Sequence, residues 1–549
     1  MDIFYVTNSL IFVPNFFSDE KRLFTAAPPH EDAIPVIFAF PNEYSVGITS
    51  LGYQIVWALL SQRADVDVCR LFTDSRESLP SQTELMGFSL SWELDYVNVL
   101  NLLEDQGLPL RASARTNAHP LVFGGGPVLT ANPEPFSAFF DVILLGDGET
   151  LLHSFLDAYG QVRGCDRAHQ LKALAQVPGI YIPSLYEVSY VAPDGPIASI
   201  LPIAADVPPT VKKQTYRGNM LSASTVVTEK AAWENIFMVE VVRSCPEMCR
   251  FCLASYLTLP FRAASIESSL IPAIEQGLSV TRRLGLLGAS ITQHPEFEDL
   301  LDYINRPEYD DVRVSMSSVR TNTVNEKLAK TLVKHDAKSI TIAIESGSQR
   351  VRDIVNKKLD TDEIAAAAQQ AKSGGLKSLK LYGMAGVPGE TQGDLAETAK
   401  LMMELKKTVP GLRLTLGCST FVPKGHTPFQ WYGVDPQAEK RLKFLQKQLR
   451  PVGIDFRPES YSWSVIQALI SRGDRRLADL LELTRGYGDT LGSYRRAFKA
   501  LKGTLPPFAF YVHEVWPTDW VLPWEHLEGP LPKSTLIKHL EEAQSYMAS

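Results

Sequence analysis

Residues 237–252 read Phe-Met-Val-Glu-Val-Val-Arg-Ser-Cys-Pro-Glu-Met-Cys-Arg-Phe-Cys, an apolar run that ends in three closely spaced cysteines. The first six residues have the composition of a buried β-strand. Cys245, Cys249 and Cys252 follow with CxxxCxxC spacing. Three thiolates can hold three irons of a cubane 4Fe–4S cluster and leave the fourth iron open for a small molecule. The stretch therefore predicts a strand that leads into a metal-binding loop.

A structural zinc site, a disulfide pair and a chance clustering are the alternatives for these cysteines. Zinc needs a fourth ligand, and the next histidine after the triad is His294, well beyond zinc-finger spacing. The remaining three of the six cysteines, Cys69, Cys165 and Cys418, are scattered along the chain. The clustering favours the iron–sulfur interpretation.

A series of alternating strands and helices extends outward from this stretch. Apolar, strand-like runs alternate with helical patterns, which is typical of parallel α/β folds. Functional side chains in such folds lie at the carboxyl ends of the strands. The six predicted strands lie at 237–242, 284–291, 312–316, 339–345, 378–384 and 413–421.

The preceding part of the chain has its own β/α alternation. Strand-like runs within residues 34–190 alternate with amphipathic helices, and several of the runs end in glycine turns, as at 121–126 and 142–146. We predict a doubly wound, Rossmann-like sheet there. A proline-rich stretch follows, and after Trp431 the pattern becomes mainly helical and charged. The predicted domains are 1–205, a linker at 206–235, 236–431 and 432–549.

Composition and charge restrict the class of protein. The 549 residues carry a formal charge of −8, which argues against a broad basic surface for nucleic acid. The chain has no apolar run of the ~18–20 residues that a membrane span needs. Its N-terminus lacks the basic region of a signal peptide, although residues 10–13 are apolar. Few cysteines, clustered as ligands, fit a reducing compartment, so we expect a cytoplasmic protein without a membrane partner.

The cysteine motif, with the aromatic Phe251 before its last cysteine, resembles the signature of the radical SAM superfamily. The resemblance implies a partial (β/α)6 barrel over the second series of strands. It also implies that S-adenosylmethionine (SAM) chelates the open iron, that reductive cleavage releases a 5′-deoxyadenosyl radical, and that Phe251 packs by the adenine. The hard chemistry then belongs to the cofactors.

The same resemblance implies contacts to SAM at the ends of other strands. The turn at 285–290 departs from the usual Gly-Gly-Glu form, yet a backbone carbonyl at Gly288 suffices for the methionine amine. Ser317 and Arg320 are candidates for the SAM carboxylate. Glu345, in Glu-Ser-Gly-Ser, and Gly386, in a Gly-Val-Pro-Gly-Glu-Thr turn, resemble a subgroup that includes methylthiotransferases and cobalamin-associated enzymes.

Serine and glycine motifs of the first domain resemble the cobalamin-binding-like domain that precedes many radical SAM cores. None of the ten histidines has Asp two residues before it, so the Asp-x-His-x-x-Gly ligand motif is absent. Either a corrinoid binds without a protein axial ligand, or the domain kept its fold and lost the ligand. The candidate loop residues are Ser89, Ser91, Gly124, Gly125, Gly126, Gly146, Gly148 and Glu149.

Further segments, 41–52, 470–476 and 523–526, resemble a bacterial subfamily of radical SAM proteins whose substrate the resemblance does not supply. We expect a radical SAM enzyme with one 4Fe–4S cluster and SAM. If the first domain binds a corrinoid, cobalamin is a third cofactor. It would act on a small-molecule or macromolecular substrate and receive electrons from a flavodoxin or ferredoxin. The alternatives are a methylthiotransferase-like modification enzyme and a non-catalytic iron–sulfur or corrinoid sensor. No residue is assigned a catalytic role.

Overall fold

The computed structural model describes residues 16–548. The sequence prediction about a signal peptide and the apolar residues 10–13 concern a segment that lies outside the described residues. Within residues 16–548, no helix combines the length and the apolar composition that crossing a bilayer requires.

The first domain is built on a six-stranded sheet. The spatial order is β2-β1-β3-β4-β5-β6, and all neighbours are parallel except the last pair. The order 2-1-3-4-5 is a doubly wound arrangement, in which ligands bind at the carboxyl ends of the strands. This confirms the predicted Rossmann-like fold. The strands are β1 Ile34–Ala39, β2 Val66–Leu71, β3 Leu85–Ser89, β4 Leu121–Gly125, β5 Val142–Leu144 and β6 Ile180–Tyr181.

Helices cover this sheet by burying one apolar face each. Helix α2 begins where the Ser50 side chain accepts a hydrogen bond from Tyr53 N, and it buries Tyr53 and Trp57. Helix α3 buries Val99 and Leu103 in the same way. The helices of this domain are α1 Tyr44–Gly47, α2 Leu51–Ser61, α3 Tyr96–Asp105, α4 Pro127–Ala131, α5 Gly148–Val162 and α6 Arg167–Leu174.

The segment between the two β/α series packs against both of them. It starts with the antiparallel hairpin of β7 (Tyr186–Tyr190) and β8 (Ile197–Pro202). Gln214 then exchanges backbone hydrogen bonds with the turn after β5, donating to Leu145 O and accepting from Asp147 N. The predicted linker at 206–235 is therefore packed against the glycine turns of the first domain.

The second series forms an open barrel from two four-stranded sheets. Their spatial orders are β10-β9-β11-β12 and β13-β14-β15-β16, and a parallel bridge between Val319 and Ile342 joins them. Seven parallel strands thus follow each other around the barrel: the first six confirm the predicted partial (β/α)6 core, and β16 adds a seventh. The strands are β9 Phe237–Arg243, β10 Arg262–Ala263, β11 Arg283–Gly288, β12 Arg313–Met316, β13 Ser339–Glu345, β14 Ser378–Ala385, β15 Arg413–Thr420 and β16 Asp455–Pro458.

Helices pack on the outside of the barrel and begin at well-defined caps. Asp360 with Glu363, and Thr391 with Asp394, form reciprocal capping boxes at the starts of α12 and α13. The helices are α7 Leu253–Tyr256, α8 Ile271–Leu278, α9 Phe297–Ile304, α10 Glu326–Lys334, α11 Gln349–Ile354, α12 Thr361–Ser373 and α13 Gln392–Thr408.

The C-terminal region is mainly helical, as predicted, but its packing was not foreseen. From α15 onward its buried residues join those of the first domain in one hydrophobic core, while Leu442 and Leu445 of α14 belong to the separate core of the barrel. A hydrogen bond of 3.0 Å between the hydroxyls of Tyr96 and Tyr494 crosses this junction. The helices are α14 Ala438–Leu449, α15 Tyr461–Arg472, α16 Leu477–Gly486, α17 Leu491–Ala500, α18 Phe508–Val512 and α19 Lys533–Ala548.

Candidate functional site

The three clustered cysteines lie on the loop between β9 and α7, at the carboxyl end of the first barrel strand. Cys249 is buried, whereas Cys245 and Cys252 are partly exposed. The chain turns sharply here because Ser244 and Met248 adopt left-handed backbone conformations, with φ of 72° and 57°. The loop therefore brings three thiols to the barrel mouth within eight residues.

The surroundings of Cys249 and Cys252 disfavour their thiolate forms. Burial raises the pKa of Cys249 to about 12, and the negative charges of Cys252, Glu345 and Cys245 add to this shift. Burial also raises the pKa of Cys252. Lys357 opposes the shift at Cys249. Three thiolates gathered around the buried Cys249 need positive charge to be stable, and irons would supply it.

Across residues 16–548, no group of three or more His, Cys, Asp or Glu side chains is arranged to hold a single metal ion. The fit of a 4Fe–4S cluster therefore rests on the chemistry of the donor set. Cys245, Cys249 and Cys252 are all free thiols, and thiolates are the usual ligands of such clusters.

The cysteine loop is tied to the segment that follows β13. Arg250, buried within the loop, donates from Nη1 to the carbonyls of Asp353 and Ile354 at 2.8 and 2.9 Å. These carbonyls end α11, where a cation is favourable. Asn356 donates from Nδ2 to the Met248 carbonyl at 2.9 Å. The loop and the region after β13 are thereby held in one arrangement.

The last helix of the described chain also reaches the cysteine loop. The Arg250 Nη2 atom lies 3.1 Å from Glu542 Oε2 of α19. The Tyr256 hydroxyl lies 2.8 Å from His539 Nδ1 of the same helix and donates to the Met248 carbonyl at 3.2 Å. Sequence reasoning missed this contact, because no local signal connects residues almost 300 positions apart.

A buried ion pair lies beside the cysteines. Lys357 Nζ is 2.7 Å from Glu345 Oε1, and both side chains are about nine-tenths buried. Burial alone would lower the pKa of Lys357, but the negative charges of Glu345 and Cys249 outweigh it and raise that pKa. Asn356 and Lys358 on either side have φ of 56° and 48°, which turns Lys357 inward. Lys357 was not among the predicted site residues.

Two further predicted residues meet at the ends of neighbouring strands. Ser317 Oγ donates to the Gly288 carbonyl at 2.9 Å. Gly288 has φ of 154°, and a Cβ atom there would lie 2.7 Å from Val242 O, so a side chain cannot be accommodated. Arg320 Nη1 lies 3.0 Å from Glu247 Oε2, within the cysteine loop. The structure thus brings Gly288, Ser317 and Arg320 to the same mouth as the cysteines.

The turn after β14 is organised by a buried carboxylate. Gly386, with φ of 76°, donates its N–H to Glu390 Oε2 at 2.7 Å. Burial raises the pKa of Glu390 to about 7. Glu390 directly precedes α13 but does not cap it, because Thr391 and Asp394 form the capping box of that helix. Glu390 instead shapes the turn that presents Gly386.

Phe251 is half-buried and packs against the core shared by the first domain and the C-terminal region. Its neighbours in sequence are the buried Arg250 and the ligand candidate Cys252. Its position places an aromatic ring on the cysteine loop itself.

A second cavity, of about 230 Å³, opens at the carboxyl ends of the first domain's strands. Arg243 and Ser222 close it from the barrel side, and no histidine lines it among the described residues. Of the predicted loop residues, those that line the cavity are Ser89, Ser91, Gly125, Gly126, Gly146, Gly148 and Glu149.

The glycines around this cavity have different structural roles. A Cβ atom on Gly126 would lie 2.6 Å from Leu90 O, and one on Gly146 would lie 2.0 Å from Gln214 O. Both have φ of 109°, so the conformation and close packing of the chain's own backbone explain why these two positions are glycine. Gly124 does not line the cavity, because its Cα faces Leu129 and Phe140 in the core.

Arg243 connects this cavity with the cysteine loop. It ends β9, two residues before Cys245, and its Nη2 atom lies 2.8 Å from Glu149 Oε1. Asp147 Oδ1 lies 3.3 Å from Arg243 Nη1, and Asp147 Oδ2 lies 2.5 Å from Arg262 Nη1. The glycine loops of the first domain and the mouth of the barrel are therefore joined by buried ion pairs.

Two buried carboxylates fasten the C-terminal region to the first domain. Glu93 pairs with Lys424 Nζ and accepts from Ser471 Oγ at 2.9 Å. Glu134 is 2.8 Å from Arg475 Nε and accepts from the Tyr181 hydroxyl. Although burial favours a neutral carboxyl, Arg475 lowers the pKa of Glu134. Glu134 of the first domain and Arg475 of the segment 470–476 thus meet in one ion-pair network.

Comparison with known proteins supports this architecture. Residues 55–183 match the family described as "Radical SAM proteins, N-terminal", and residues 239–402 match the "Radical SAM superfamily". An uncharacterized protein of Methanocaldococcus jannaschii is 28% identical over 455 residues, which cover 82% of this chain and 91% of that protein. An uncharacterized methyltransferase of Pyrococcus horikoshii is 24% identical over 53% of this chain and 59% of its own length.

A solved structure shares the fold of most of the chain. It is that of TsrM, a radical S-adenosylmethionine methyltransferase from Kitasatospora setae, with cobalamin and a [4Fe–4S] cluster bound. The TM-score is 0.53 at 12% identity, over 85% of this chain and 99% of that one. The two family matches together cover more than half of the 549 residues and include the cysteine loop and five of the six predicted barrel strands, so this chain belongs to the radical SAM superfamily.

Proposed function

We propose that Cys245, Cys249 and Cys252 hold three irons of a 4Fe–4S cluster and that SAM binds the fourth iron. The observation that carries this assignment is the loop at the carboxyl end of β9, which brings three free thiols, one of them buried, to the barrel mouth within eight residues. When bound, the cluster and SAM together supply a 5′-deoxyadenosyl radical. The chain is thus a radical SAM enzyme, and its substrate is an open question for experiment.

The proposed SAM site consists of the residues that meet at the barrel mouth. The Glu345 carboxylate is able to accept hydrogen bonds from an ammonium or hydroxyl group, and Lys357 balances its charge. We assign the backbone around Gly288 to the methionine part of SAM and the backbone around Gly386 to its adenosine part. The side chains assigned to the same site are Ser317, Arg320 and Phe251.

For the first domain we propose a corrinoid that binds without a protein axial ligand. The support is the glycine-lined cavity, the absence of histidine from its described lining, and the fold shared with TsrM, whose structure contains cobalamin. Ser89, Ser91 and Gly125 would hold the nucleotide tail. Arg243 would then couple this site to the cysteine loop, and the reaction class would be methyl transfer or another radical modification.

We further assign reduction of the cluster to a flavodoxin or ferredoxin, and we place the protein in the cytoplasm. Low-potential clusters need a one-electron donor, and free thiols persist in reducing compartments. The acidic chain makes nucleic acid a poor candidate for its substrate.

A methylthiotransferase-like activity is the second candidate. It is favoured by a 25% identical stretch shared with the tRNA-2-methylthio-N(6)-dimethylallyladenosine synthase of Prosthecochloris aestuarii. That stretch covers 31% of this chain and 40% of the synthase. Against it, the remaining cysteines do not form a second triad, since Cys69 and Cys418 are buried in separate cores and Cys165 is exposed.

The test is anaerobic reconstitution with iron and sulfide, followed by reduction with SAM and an assay for 5′-deoxyadenosine. We expect about four irons per chain and cluster-dependent product. Cys245→Ala should lose both, whereas the matched control Cys165→Ala, at an exposed cysteine, should keep both. Full iron content in Cys245→Ala would contradict the ligand assignment. A filled cluster without deoxyadenosine would favour a sensor.

A further inference from the structure

The barrel strands have two different faces. One face packs on the helices through residues such as Leu284, Val314 and Leu381, which are almost fully buried. Side chains alternate along a strand, so the neighbouring residues lie on the concave face. That face is open: Tyr382 is half exposed there, as are Ser315 and Lys380 in large part.

Two arginines stand directly opposite each other on this concave face. Arg283 of β11 and Arg313 of β12 are register partners in a parallel pair. Like charges in that position destabilise a sheet. Arg313 has only a distant partner, Asp336 at 4.0 Å, with both side chains more than half exposed. Within residues 16–548, the Arg283 side chain has no acid or hydrogen-bond acceptor in contact. The repulsion is therefore not compensated by the chain itself.

The second sheet has further positive charge towards the amino ends of its own strands. Lys380 of β14 and Arg413 of β15 alternate with buried leucines and are exposed. Asp455, the acid nearest to Arg413, is already 2.7 Å from Arg457 Nη2. A chain with a formal charge of −8 thus collects cations at the amino ends of its barrel strands.

A cavity of about 340 Å³ runs from Arg283 towards the proposed SAM site; Glu234 also lines it, and Arg313 lies beside Arg283 just outside the lining. Arg283 lies at one end of it and Ser317, whose hydroxyl binds the Gly288 carbonyl, lies at the other. Trp233, 53% exposed, forms an apolar wall. From Arg283 to Gly288, β11 spans roughly 16 Å at about 3.3 Å per residue.

We propose that this concave face is a substrate site for an elongated molecule that carries a phosphate group. The paired guanidiniums of Arg283 and Arg313 bind the phosphate, Trp233 contacts an apolar part, and the far end reaches Ser317. Guanidinium forks match phosphate oxygens. Two adjacent cations favour a phosphate group, with nearly two negative charges on one group, over carboxylates, which carry one charge each. That the bound molecule is the substrate rests on the proposed function; the anion site itself does not.

The test is calorimetric titration of the reconstituted holoenzyme with inorganic pyrophosphate, with citrate as the carboxylate probe. We expect pyrophosphate to bind more tightly than citrate. Arg283→Gln should weaken pyrophosphate binding at least tenfold. Lys407→Gln, which removes an equal charge from the outer helix α13, should change it less than twofold. Circular dichroism verifies that both variants fold.

Two results would overturn the proposal: no pyrophosphate binding to the wild-type chain, or equal weakening by Arg283→Gln and Lys407→Gln. Tighter binding of citrate would overturn the phosphate assignment. Pyrophosphate binding and 5′-deoxyadenosine formation are measured independently of each other. Arg283-dependent binding without 5′-deoxyadenosine formation would leave this site standing and refute the proposed function. Deoxyadenosine without Arg283-dependent binding would refute this site alone.

Discussion

Replacing Arg475 with methionine should loosen the junction between the first domain and the C-terminal region. Arg475 Nε lies 2.8 Å from Glu134 Oε2, and Nη1 donates to the Tyr186 carbonyl at 2.8 Å. The Glu134 side chain is only 1% exposed. Removing one partner of a buried pair costs about 3–5 kcal/mol because the other charge stays unpaired.

The size of the thermal shift follows from the length of the chain. At about 2.1 cal/mol/K of unfolding entropy per residue, cooperative unfolding of a chain this long has an entropy of about 1.2 kcal/mol/K. Arg475→Met should therefore lower the Tm by about 3–4 °C in differential scanning calorimetry. Arg282→Met is the matched control, since both side chains of its ion pair with Asp311 are largely exposed and solvent screens their attraction.

A double variant makes this prediction sharper. When Glu134→Gln is added to Arg475→Met, the unpaired carboxylate at position 134 is removed. The new amide still accepts a hydrogen bond from the Tyr181 hydroxyl. We expect at least half of the lost Tm to return. The reasoning is refuted if Arg475→Met and Arg282→Met shift the Tm equally, or if the double variant is no more stable than Arg475→Met.

Two more predictions concern charges inside the protein. Lys357→Gln should lower the midpoint potential of the cluster in an electron paramagnetic resonance titration, because a buried cation stabilises the more negatively charged reduced state. Lys358→Gln, at a half-exposed site, should leave that potential nearly unchanged. Equal shifts in the two variants would contradict the prediction. Burial lowers the pKa of both His426 and His526 from 6.5 to about 4. The unfolded chain then binds more protons, so each histidine should cost about 3 kcal/mol of stability as pH falls from 6.5 to 4. Urea unfolding at several pH values measures this loss, and His526→Phe should remove about half of the dependence; an unchanged dependence would argue against it.

The barrel strands could be predicted because their signal is local. Buried runs such as 237–242 and 339–345 alternate with amphipathic helices, and the structure has strands at Phe237–Arg243 and Ser339–Glu345. The second strand was predicted to continue to residue 291 but ends at Gly288, whose φ of 154° breaks the extended backbone. Apolar composition alone does not report such a conformation.

The surroundings of the cysteines could not be predicted in the same way. Lys357 points inward because Asn356 and Lys358 are left-handed, which follows from the packing of the segment against the cysteine loop. The amphipathic pattern of the C-terminal helices shows that each buries one face, but it does not indicate against which part of the protein that face packs. The assignments of the cysteines and of the SAM contacts stay predictions that reconstitution will test.

The sequence by itself determined the spacing of three thiols on one loop, the two β/α series and the helical C-terminal region. Each of these depends on residues a few positions apart, where chain geometry fixes which side chains share a face. Only the tertiary structure decided that Glu542 and His539 contact the cysteine loop and that Arg283 stands opposite Arg313. Such contacts depend on how separate elements close around a common core, and no local periodicity encodes that closure.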